Sequence, residues 1–562
     1  MSSDPDILIK NGTIFDGTGR LRYKADIYIK DKKIQKISRR IKEKAEIVID
    51  ATGLAIAPGF WDLHAHDDFV IAVKNHPDLL ECKVRSGITT VVCGNCGYSP
   101  YPVSPKYFED LKLYVAFLDA GLTWEWRNLR EYFNFLERQG IIVNFATHVG
   151  QGAIRTAVMG LAMPGPANKE QLEEMKSLLR QEMEAGAFGM TCGLLYPPGL
   201  FTPTEELVEL AKVVAEYGGV VGVHMRNESE LMFEAVSEVI RIGQESGARV
   251  HIHHLEAFGE KYFWKMPVVL NMLNEAREVR GVEVSYDFIP STGDNTTIMA
   301  MFPMWAFEGG FEKFVERVKD PKLLAKMREE AERYLPTWPP LEVYPHNVVK
   351  ASAVDSKRGW DNIQVIWCKT RKEFEGLTLR QLGEKMGKHP FDAAAELAVE
   401  EKGAVMCVYF GGSGTKEEEW VYGGRGPSVK LPQVKDPFSS IETDAILGKE
   451  RQVPVAWGMG PMVIGRMARD EGWITMEEAI KKMTFNPAHV LRVDDRGVIR
   501  RGAYADIVIF DPKTIIDRAT YEEAKPPVGI EYVIINGTIV VEKGEYYKDR
   551  RPGMIIKSTD YY

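Results

Sequence analysis

The sequence predicts an α/β protein in which a (β/α)8 TIM-like barrel is joined to a small β-sandwich domain built from both chain termini. In the middle of the chain, apolar strands alternate with amphipathic helices, which is typical of parallel βα units. Both ends contain short strands with turn residues instead. The length of 562 residues also exceeds what one core usually organises, about 250–300 residues. We therefore expect at least two structural units.

The two ends of the chain have the same local character. Short strands are expected at 7–10, 25–30, 46–50, 505–512 and 533–540. The stretch Asn-Gly-Thr-Ile occurs at both ends, although two unrelated hairpins with the same turn chemistry would also produce it. We expect residues 1–57 and 491–562 to form the two parts of one β-sandwich domain.

The barrel is expected to occupy residues 58–490. Its eight strands are predicted to end near His64, Cys96, His148, Cys192, His224, His253, Asp287 and Asp444. Caps and periodicity predict helices at 169–185, 205–217 and 229–246. The interval between the last two strands is too long for one βα unit. A stretch rich in Trp, Pro and Met, at about 291–351, is therefore predicted to be an insertion on the barrel rim.

Composition narrows the class of function. The net charge of -9 is mild, and no basic block indicates a nucleic-acid surface, so a small-molecule substrate is favoured. No segment approaches the roughly 18 apolar residues of a membrane span, and the N-terminus is acidic where a signal peptide would be basic. We expect a cytoplasmic protein. Six cysteines do not make a disulfide framework, and a homo-oligomer is left open.

Polar residues that can bind a metal stand at the carboxyl ends of several predicted strands, where a barrel builds its active site. His64 and His66 fall on one face of a strand because side chains alternate, so both imidazoles can bind one ion. A solvated strand could also carry such a pair. Cys96 lies in a loop where its thiolate could face a cation. A zinc ribbon with Cys93 is not supported, because no second Cys pair follows.

The later strands add further candidate ligands. His224 ends one strand, and His253 lies nearest the barrel mouth on the next. His251 and His254 are interpreted as ordinary hydrogen-bonded barrel residues. Asp444 could bind the cation and accept a proton from its water, although a helix N-cap is the structural alternative.

With these residues in this order, the chain resembles the amidohydrolase superfamily, and within it the D-aminoacylase (N-acyl-D-amino-acid deacylase) branch. The branch is marked by a Cys metal ligand in the motif Gly94-Asn95-Cys96-Gly97. The resemblance continues through Thr484-Phe485-Asn486-Pro487-Ala488, Asp495-Arg496-Gly497 and Ala505-Asp506-Ile507-Val508. It covers nearly the whole barrel and the C-terminal strands.

The resemblance implies a set of site roles. Cys96, His224 and His253 would hold the tighter zinc. His64, His66 and Asp444 would line a second, weaker metal position. Tyr196 resembles the tyrosine that the family places near the scissile group.

The chain departs from the family at substrate-binding positions. Leu255 stands where a Lys is usual, Asp287-Phe288-Ile289-Pro290-Ser291 replaces an aromatic Asp-x-Tyr-Pro-Tyr, and Gly150-Gln151 replaces Gly-His. The His-Pro-Arg expected beyond Asp444 is missing. The metal chemistry is thus retained, while substrate recognition is rebuilt.

The expected reaction is zinc-dependent hydrolysis of a linear amide, an N-acyl-D-amino acid, by metal-activated water. Asp444 would take the proton of that water and pass it to the leaving amine. Arg226 is a candidate for binding a substrate carboxylate, with a structural salt bridge as the alternative. Two other functions stay open: hydrolysis of a cyclic amide, as in a hydantoinase, dihydropyrimidinase or lactamase-like enzyme, and a non-catalytic scaffold.

Overall fold

The structure is a computed structural model that describes residues 6–161, 165–333, 358–449 and 451–562. Its centre is a set of parallel strands that follow one another along the chain. They are Phe60–Asp62, Ile88–Cys93, Asn144–Thr147 with Val149–Gly150, Gly189–Gly193, Val220–His224, Arg249–Ile252, Val284–Phe288 and Ser439–Ile441. Each pairs in parallel with the next, in one three-stranded and one six-stranded sheet. His148 separates the two parts of the third strand, and its N–H donates to Cys93 O at 2.9 Å.

These strands are buried along almost their whole length, which explains their continuous apolar runs of Val, Ile and Cys. The end of the last strand returns to the first: Asp444 N donates to His64 O at 3.1 Å. This contact brings residues far apart in sequence to the same edge of the parallel strands.

Helices connect the parallel strands and also follow the last of them. They are His76–Leu79, Glu81–Arg85, Phe108–Tyr114, Leu129–Gln139, Gln151–Met159, Lys169–Ala185, Thr204–Glu216, Met232–Ser246, Met266–Glu278, Leu431–Lys435, Pro454–Met462, Met476–Met483 and Phe485–Val490. The helix Lys169–Ala185 begins at a capping box between Asn168 and Gln171. The helix Met232–Ser246 ends at Gly247, which adopts a left-handed φ of 74°. The helices predicted from caps and periodicity therefore agree closely with the structure.

Both ends of the chain contribute to one nine-stranded sheet. Its strands are Ile7–Ile14, Tyr23–Lys30, Lys33–Ser38, Ile47–Asp50, Ala55–Pro58, Ile507–Phe510, Ile530–Ile535, Thr538–Glu542 and Glu545–Tyr546. The termini join where Ala55–Pro58 pairs with Ile507–Phe510 in antiparallel register. Both Asn-Gly pairs belong to this sheet, but only Asn536-Gly537 is a turn, whereas Asn11-Gly12 lies within the strand Ile7–Ile14 at a register shift.

The segment between the last two parallel strands has a sheet and a core of its own. Its antiparallel strands are Gly293–Thr297, Ile363–Cys368 and Val405–Phe410, and its helices are Phe311–Lys319, Pro321–Arg333, Leu379–Met386 and Pro390–Glu400. Phe302, Phe314 and Phe391 belong to a hydrophobic cluster confined mainly to this segment. The sequence placed an insertion at about 291–351, of which residues 334–351 lie outside the described residues. The structure extends the inserted segment to at least Phe410.

The difference has a physical cause. The strands Ile363–Cys368 and Val405–Phe410 are buried apolar runs like those of the parallel sheet, so the sequence alone does not mark them as inserted.

In the described part of the chain, no helix combines the length and apolarity needed to cross a bilayer.

Candidate metal centre

Metal-capable side chains converge where the parallel strands end. His64 and His66 follow the first strand, Cys96 follows the second, His224 ends the fifth, and Asp444 follows the last. All of them are buried. Carboxyl ends of parallel strands meet at one edge, which is why residues spread over nearly 400 positions form one cluster.

Cys96 stands at the centre of this cluster. Its Sγ lies 3.5 Å from His224 Nδ1, 3.5 Å from His254 Nε2 and 3.2 Å from His64 Nε2. A zinc ion with bonds of about 2.3 Å to sulfur and about 2.0–2.1 Å to nitrogen separates such ligands by about 3.5 Å at tetrahedral angles. The spacing around Cys96 therefore fits a zinc site.

Three residues of the cluster have unusual backbone conformations. Cys96, His254 and Asp444 have positive φ angles of 52°, 32° and 45°. Non-glycine residues seldom adopt this region, and such strain concentrates at functional sites. The backbone therefore marks His254 as a member of the site alongside Cys96 and Asp444.

His253 and His254 occupy different places. The ring of His253 packs edge-on against His64, with centroids 4.4 Å apart, and its Nε2 lies against Gly222. It can still join His64 and Cys96 within one group of potential ligands. His254 instead forms a group with Cys96 and His224. From the resemblance, His253 was the residue expected to join that pair. The sequence interpreted His254 as an ordinary barrel residue, whereas the structure brings it into the centre of the cluster.

A second group of donors lies beside the first. Asp444 Oδ1 is 3.1 Å from His66 Nε2 and 3.4 Å from His64 Nε2. Asn295 Nδ2 donates to Asp444 O at 2.7 Å, which fixes the loop that presents the carboxylate. His64 contacts both Cys96 and Asp444, so the two groups share an edge.

Glu228 supports the two imidazoles that flank Cys96. Its Oε1 lies 3.1 Å from His254 Nδ1 and 3.9 Å from His224 Nε2. Carboxylates on the far nitrogen of a ligand histidine fix its orientation and tautomer. Burial lowers the pKa of His254, but the hydrogen bond and charge of Glu228 outweigh it and raise the pKa to about 9.

Further carboxylates lie beneath His64. His64 Nδ1 is 3.8 Å from Asp287 Oδ2 and 3.9 Å from Glu442 Oε2. Asp287 also holds His251 Nε2 at 3.0 Å and accepts the His254 N–H. Burial, followed by the charge of Asp287, raises the pKa of Glu442 well above its usual range.

The rest of the cluster is strongly desolvated. Burial, with the neighbouring His253, lowers the pKa of His64 well below its usual value. Burial, with the nearby Asp444, raises the pKa of the Cys96 thiol. Burial also raises the pKa of Asp444, against the hydrogen bond from His66. Imidazoles, a buried thiol and a carboxylate held this close together are a donor set suited to a divalent cation, which favours the thiolate.

Tyr196 lies in the wall of the same small pocket. The lining residues are His66, Cys96, Tyr98, Phe117, Tyr196, His224, Asp294, Asn295, Thr296, Asp444 and Ile446. Tyr196 Oη is 2.8 Å from Thr296 Oγ1, and its ring centroid is 5.0 Å from that of His224. The structure thus places Tyr196 beside the candidate ligands.

Arg226 does not take part in this pocket. Its guanidinium contacts both oxygens of Glu238 at 3.0–3.2 Å and donates to Leu200 O and Thr202 O. The side chain is buried. This is the structural salt bridge that the sequence left as the alternative to substrate binding.

The sequence missed Glu228, Asp287 and the full role of His254. The spacing of Glu228 four residues after His224 could have indicated a support for that ligand. No sequence pattern shows which of two adjacent histidines turns toward a cysteine on another strand.

Comparisons with known proteins agree with this geometry. The amidohydrolase family matches residues 47–287 and 433–541, on either side of the inserted segment. D-aminoacylase of Alcaligenes xylosoxydans xylosoxydans is 28% identical over 99% of this chain and 98% of its own. N-acyl-D-glutamate deacylase of the same organism is 29% identical over 99% and 97%. The crystal structure of N-acyl-D-glutamate deacylase from Bordetella bronchiseptica, complexed with zinc and a phosphonate inhibitor, is 30% identical, with a TM-score of 0.78 over 99% of this chain and all of that one.

The chain belongs to the amidohydrolase family, and it is accordingly a hydrolase of carbon–nitrogen bonds. Its full-length similarity to D-aminoacylase and the N-acyl-D-glutamate deacylases places it in the D-aminoacylase branch. The resemblance stated from the Gly-Asn-Cys-Gly motif is thereby confirmed.

Proposed function

We propose that this chain is a zinc-dependent amidohydrolase that cleaves a linear amide, an N-acyl-D-amino acid, to a D-amino acid and a carboxylate. One observation carries the proposal: Cys96 Sγ has two imidazole nitrogens at 3.5 Å, the spacing that tetrahedral zinc requires. The names of these relatives describe enzymes that deacylate D-amino acids, and the crystal structure of one of them contains zinc. These similarities support the substrate class and the metal.

Cys96, His224 and His254 would hold the tighter zinc. A thiolate with imidazoles is a donor set that selects zinc over calcium or magnesium. His64, His66 and Asp444 would line the weaker position, as the sequence implied. In this proposal His254 takes the role given earlier to His253, which then packs behind His64.

The fold supplies the platform for this site. We propose that the eight parallel strands close into a (β/α)8 barrel, supported by the hydrogen bond from Asp444 N to His64 O. The terminal sheet is proposed to fold over as a sandwich. Ile34 N donates to Ala503 O at 2.9 Å, so the edge strand Lys33–Ser38 contacts the segment just before Ile507–Phe510, a strand in the middle of the sheet order.

Asp444 is proposed as the group that moves the proton. A bound zinc supplies Lewis-acid chemistry, polarising a carbonyl and lowering the pKa of water to about 7. Asp444 accepts a proton from the attacking water and then delivers it to the amide nitrogen. A carbon–oxygen bond forms and the carbon–nitrogen bond breaks, leaving a carboxylate and an amine. His66 at 3.1 Å and Asn295 hold Asp444 in place for both transfers.

Tyr196 is proposed to donate a hydrogen bond to the substrate carbonyl oxygen. Burial, together with the charge of Cys96, raises the pKa of Tyr196 well above its ordinary value. The phenol therefore keeps its proton throughout the neutral pH range and can act as a donor. Its present contact, Thr296 Oγ1, would be exchanged or shared when substrate binds.

An apolar cavity continues from the pocket and favours substrates with an apolar group. Tyr98, Phe117 and Tyr196 belong to the walls of both. The cavity extends to Phe302, Phe307 and Phe311 of the inserted segment. Among the described residues that line it, Lys402 is the one cationic side chain, and it is exposed. We therefore propose apolar N-acyl-D-amino acids as substrates in preference to acyl-D-glutamate or acyl-D-aspartate.

The test is a substrate panel with the purified protein. N-acetyl-D-leucine and N-acetyl-D-phenylalanine are compared with their L forms, with N-acetyl-D-glutamate and with a hydantoin. Burial of an apolar side chain contributes about 1.5–3 kcal/mol, so kcat/KM should favour the apolar D substrates over D-glutamate by about 10-fold or more. Cys96→Ala should abolish hydrolysis. Turnover of the hydantoin alone would support the cyclic-amide alternative, and no turnover by zinc-loaded protein would support the scaffold.

A further inference from the structure

A fully buried lysine lies under the loops that carry half of the candidate ligands. Lys83, in the helix Glu81–Arg85, has no exposed side-chain surface. Its Nζ is 2.7 Å from Asp62 Oδ2 and 2.6 Å from Asp67 Oδ2. Asp62 lies two residues before His64, and Asp67 follows His66 directly. One ammonium group therefore holds both ends of the segment that presents the paired histidines.

The same network reaches the opposite side of the site. Asp62 Oδ1 accepts the Thr443 N–H at 2.9 Å, and Asp62 Oδ2 accepts the Thr443 hydroxyl at 2.6 Å. Thr443 immediately precedes Asp444. The shape of this turn is strained, because Asp444 has a φ of 45°. Asp62 is thus the junction between the histidine pair and the carboxylate.

We propose that Lys83 is a positioning residue that sets the geometry of the weaker metal position formed by His64, His66 and Asp444. Lys83 touches neither the metal ligands nor the pocket. It acts by neutralising Asp62 and Asp67, so that both carboxylates can stay buried and Asp62 can hold Thr443. The inference rests on the proposed function, because it assigns a role toward a bound cation.

Electrostatics make this role depend on a cationic side chain. Two buried carboxylates repel each other, and breaking a buried charge pair leaves an uncompensated charge that is costly. Burial opposes the ammonium charge, but Asp62 and Asp67 outweigh it and raise the pKa of Lys83. Without the ammonium group, Asp62 would lose its partner at 2.7 Å and move, and its hydrogen bonds to Thr443 would weaken. The group around Cys96 is linked to this network through His64, which lies 3.2 Å from Cys96 Sγ, and should therefore be less affected than the group around Asp444.

The experiment measures cobalt(II) binding to full-length protein freed of metal. Thiolate-to-cobalt charge-transfer absorption reports the position that includes Cys96, and calorimetry counts both positions. For Lys83→Met we expect the second equivalent to bind at least tenfold more weakly, while the first stays within about threefold, in line with the effect of ligand-supporting groups on metal affinity. Lys482→Met is the matched control: Lys482 is also buried and bonds Ser439 Oγ at the far end of the last strand. It should leave both equivalents unchanged.

Thr443→Val provides a second variant that keeps the Lys83 charge pair and removes only the hydroxyl link to Asp62. It should weaken binding of the second cobalt equivalent selectively, and by less than Lys83→Met does. If Lys83→Met does not fold, Thr443→Val provides the test. Wild-type binding of the second equivalent in either folded variant overturns the inference. A wild-type protein that binds one equivalent, with the charge-transfer band, also overturns it but leaves the proposed function standing. A protein that binds no cobalt and no zinc overturns both.

Discussion

Replacing Glu228 with Gln tests whether one carboxylate supports both imidazoles at the tighter zinc position that we propose. Glu228 Oε1 lies 3.1 Å from His254 Nδ1 and 3.9 Å from His224 Nε2. Removing such an outer carboxylate typically weakens metal binding by about 10–100-fold, or about 1.4–2.8 kcal/mol. Because two ligands share this carboxylate, we expect an effect near the upper end. Gln keeps the shape and one acceptor oxygen, so the change isolates the charge.

The assay is a competition titration of zinc against a chromophoric chelator at fixed pH. Glu182→Gln is the matched control, because Glu182 is equally buried and its Oε2 accepts the Leu129 N–H on a helix that carries none of the candidate ligands. The control should bind zinc as the wild type does. Glu228→Gln with zinc affinity within twofold of the wild type would refute the supporting role.

Three other predictions follow from buried groups. Arg226→Met should lower the unfolding free energy by about 3–5 kcal/mol, because it leaves Glu238 buried without its cation. Arg226→Lys should leave KM unchanged. If Arg226→Lys instead raised KM without changing the melting temperature, Arg226 would have to contact the substrate. Burial raises the pKa of Glu182 from 4.5 to about 7, so the protonated side chain stabilises the fold below pH 4.5, and this contribution is lost as the pH rises to 7. The free energy of unfolding should therefore fall by up to about 3 kcal/mol over this range in the wild type. In Glu182→Gln, denaturation at each pH should show a decline smaller by that amount. Phe391→Ala, in the core of the inserted segment, should cost about 3–5 kcal/mol by thermal denaturation, and a loss below 1 kcal/mol would contradict the packing.

The sequence predicted the parts of the site that follow from strand periodicity. His64 and His66 share a face because side chains alternate within a strand, and His224 and Asp444 mark strand ends. The same rule selected His253 over His254, and there the structure departs from it. The sixth strand ends at Ile252, and a φ of 32° at His254 turns that side chain toward Cys96. Alternation holds only while the chain stays extended.

Long-range partners were beyond the reach of sequence patterns. Arg226 pairs with Glu238 on the following helix, and Lys83 pairs with Asp62, at the end of the first strand, and with Asp67 in the segment after that strand. Such pairs depend on the packing of a helix against the strand ends, which a single sequence does not encode as a spacing. The end of the inserted segment was missed for a similar reason, since its strands are as apolar as those of the parallel sheet.

The most direct test of the proposed tighter zinc position compares zinc binding by His254→Ala and His253→Ala. Both variants remove one buried imidazole from the same loop, so they are matched in the size of the change. We expect His254→Ala to lose the tightly bound zinc and hydrolysis with it, while His253→Ala keeps the zinc within about tenfold of wild-type affinity. His254→Ala that retains one tight zinc per chain and full hydrolysis would contradict the assignment of Cys96, His224 and His254.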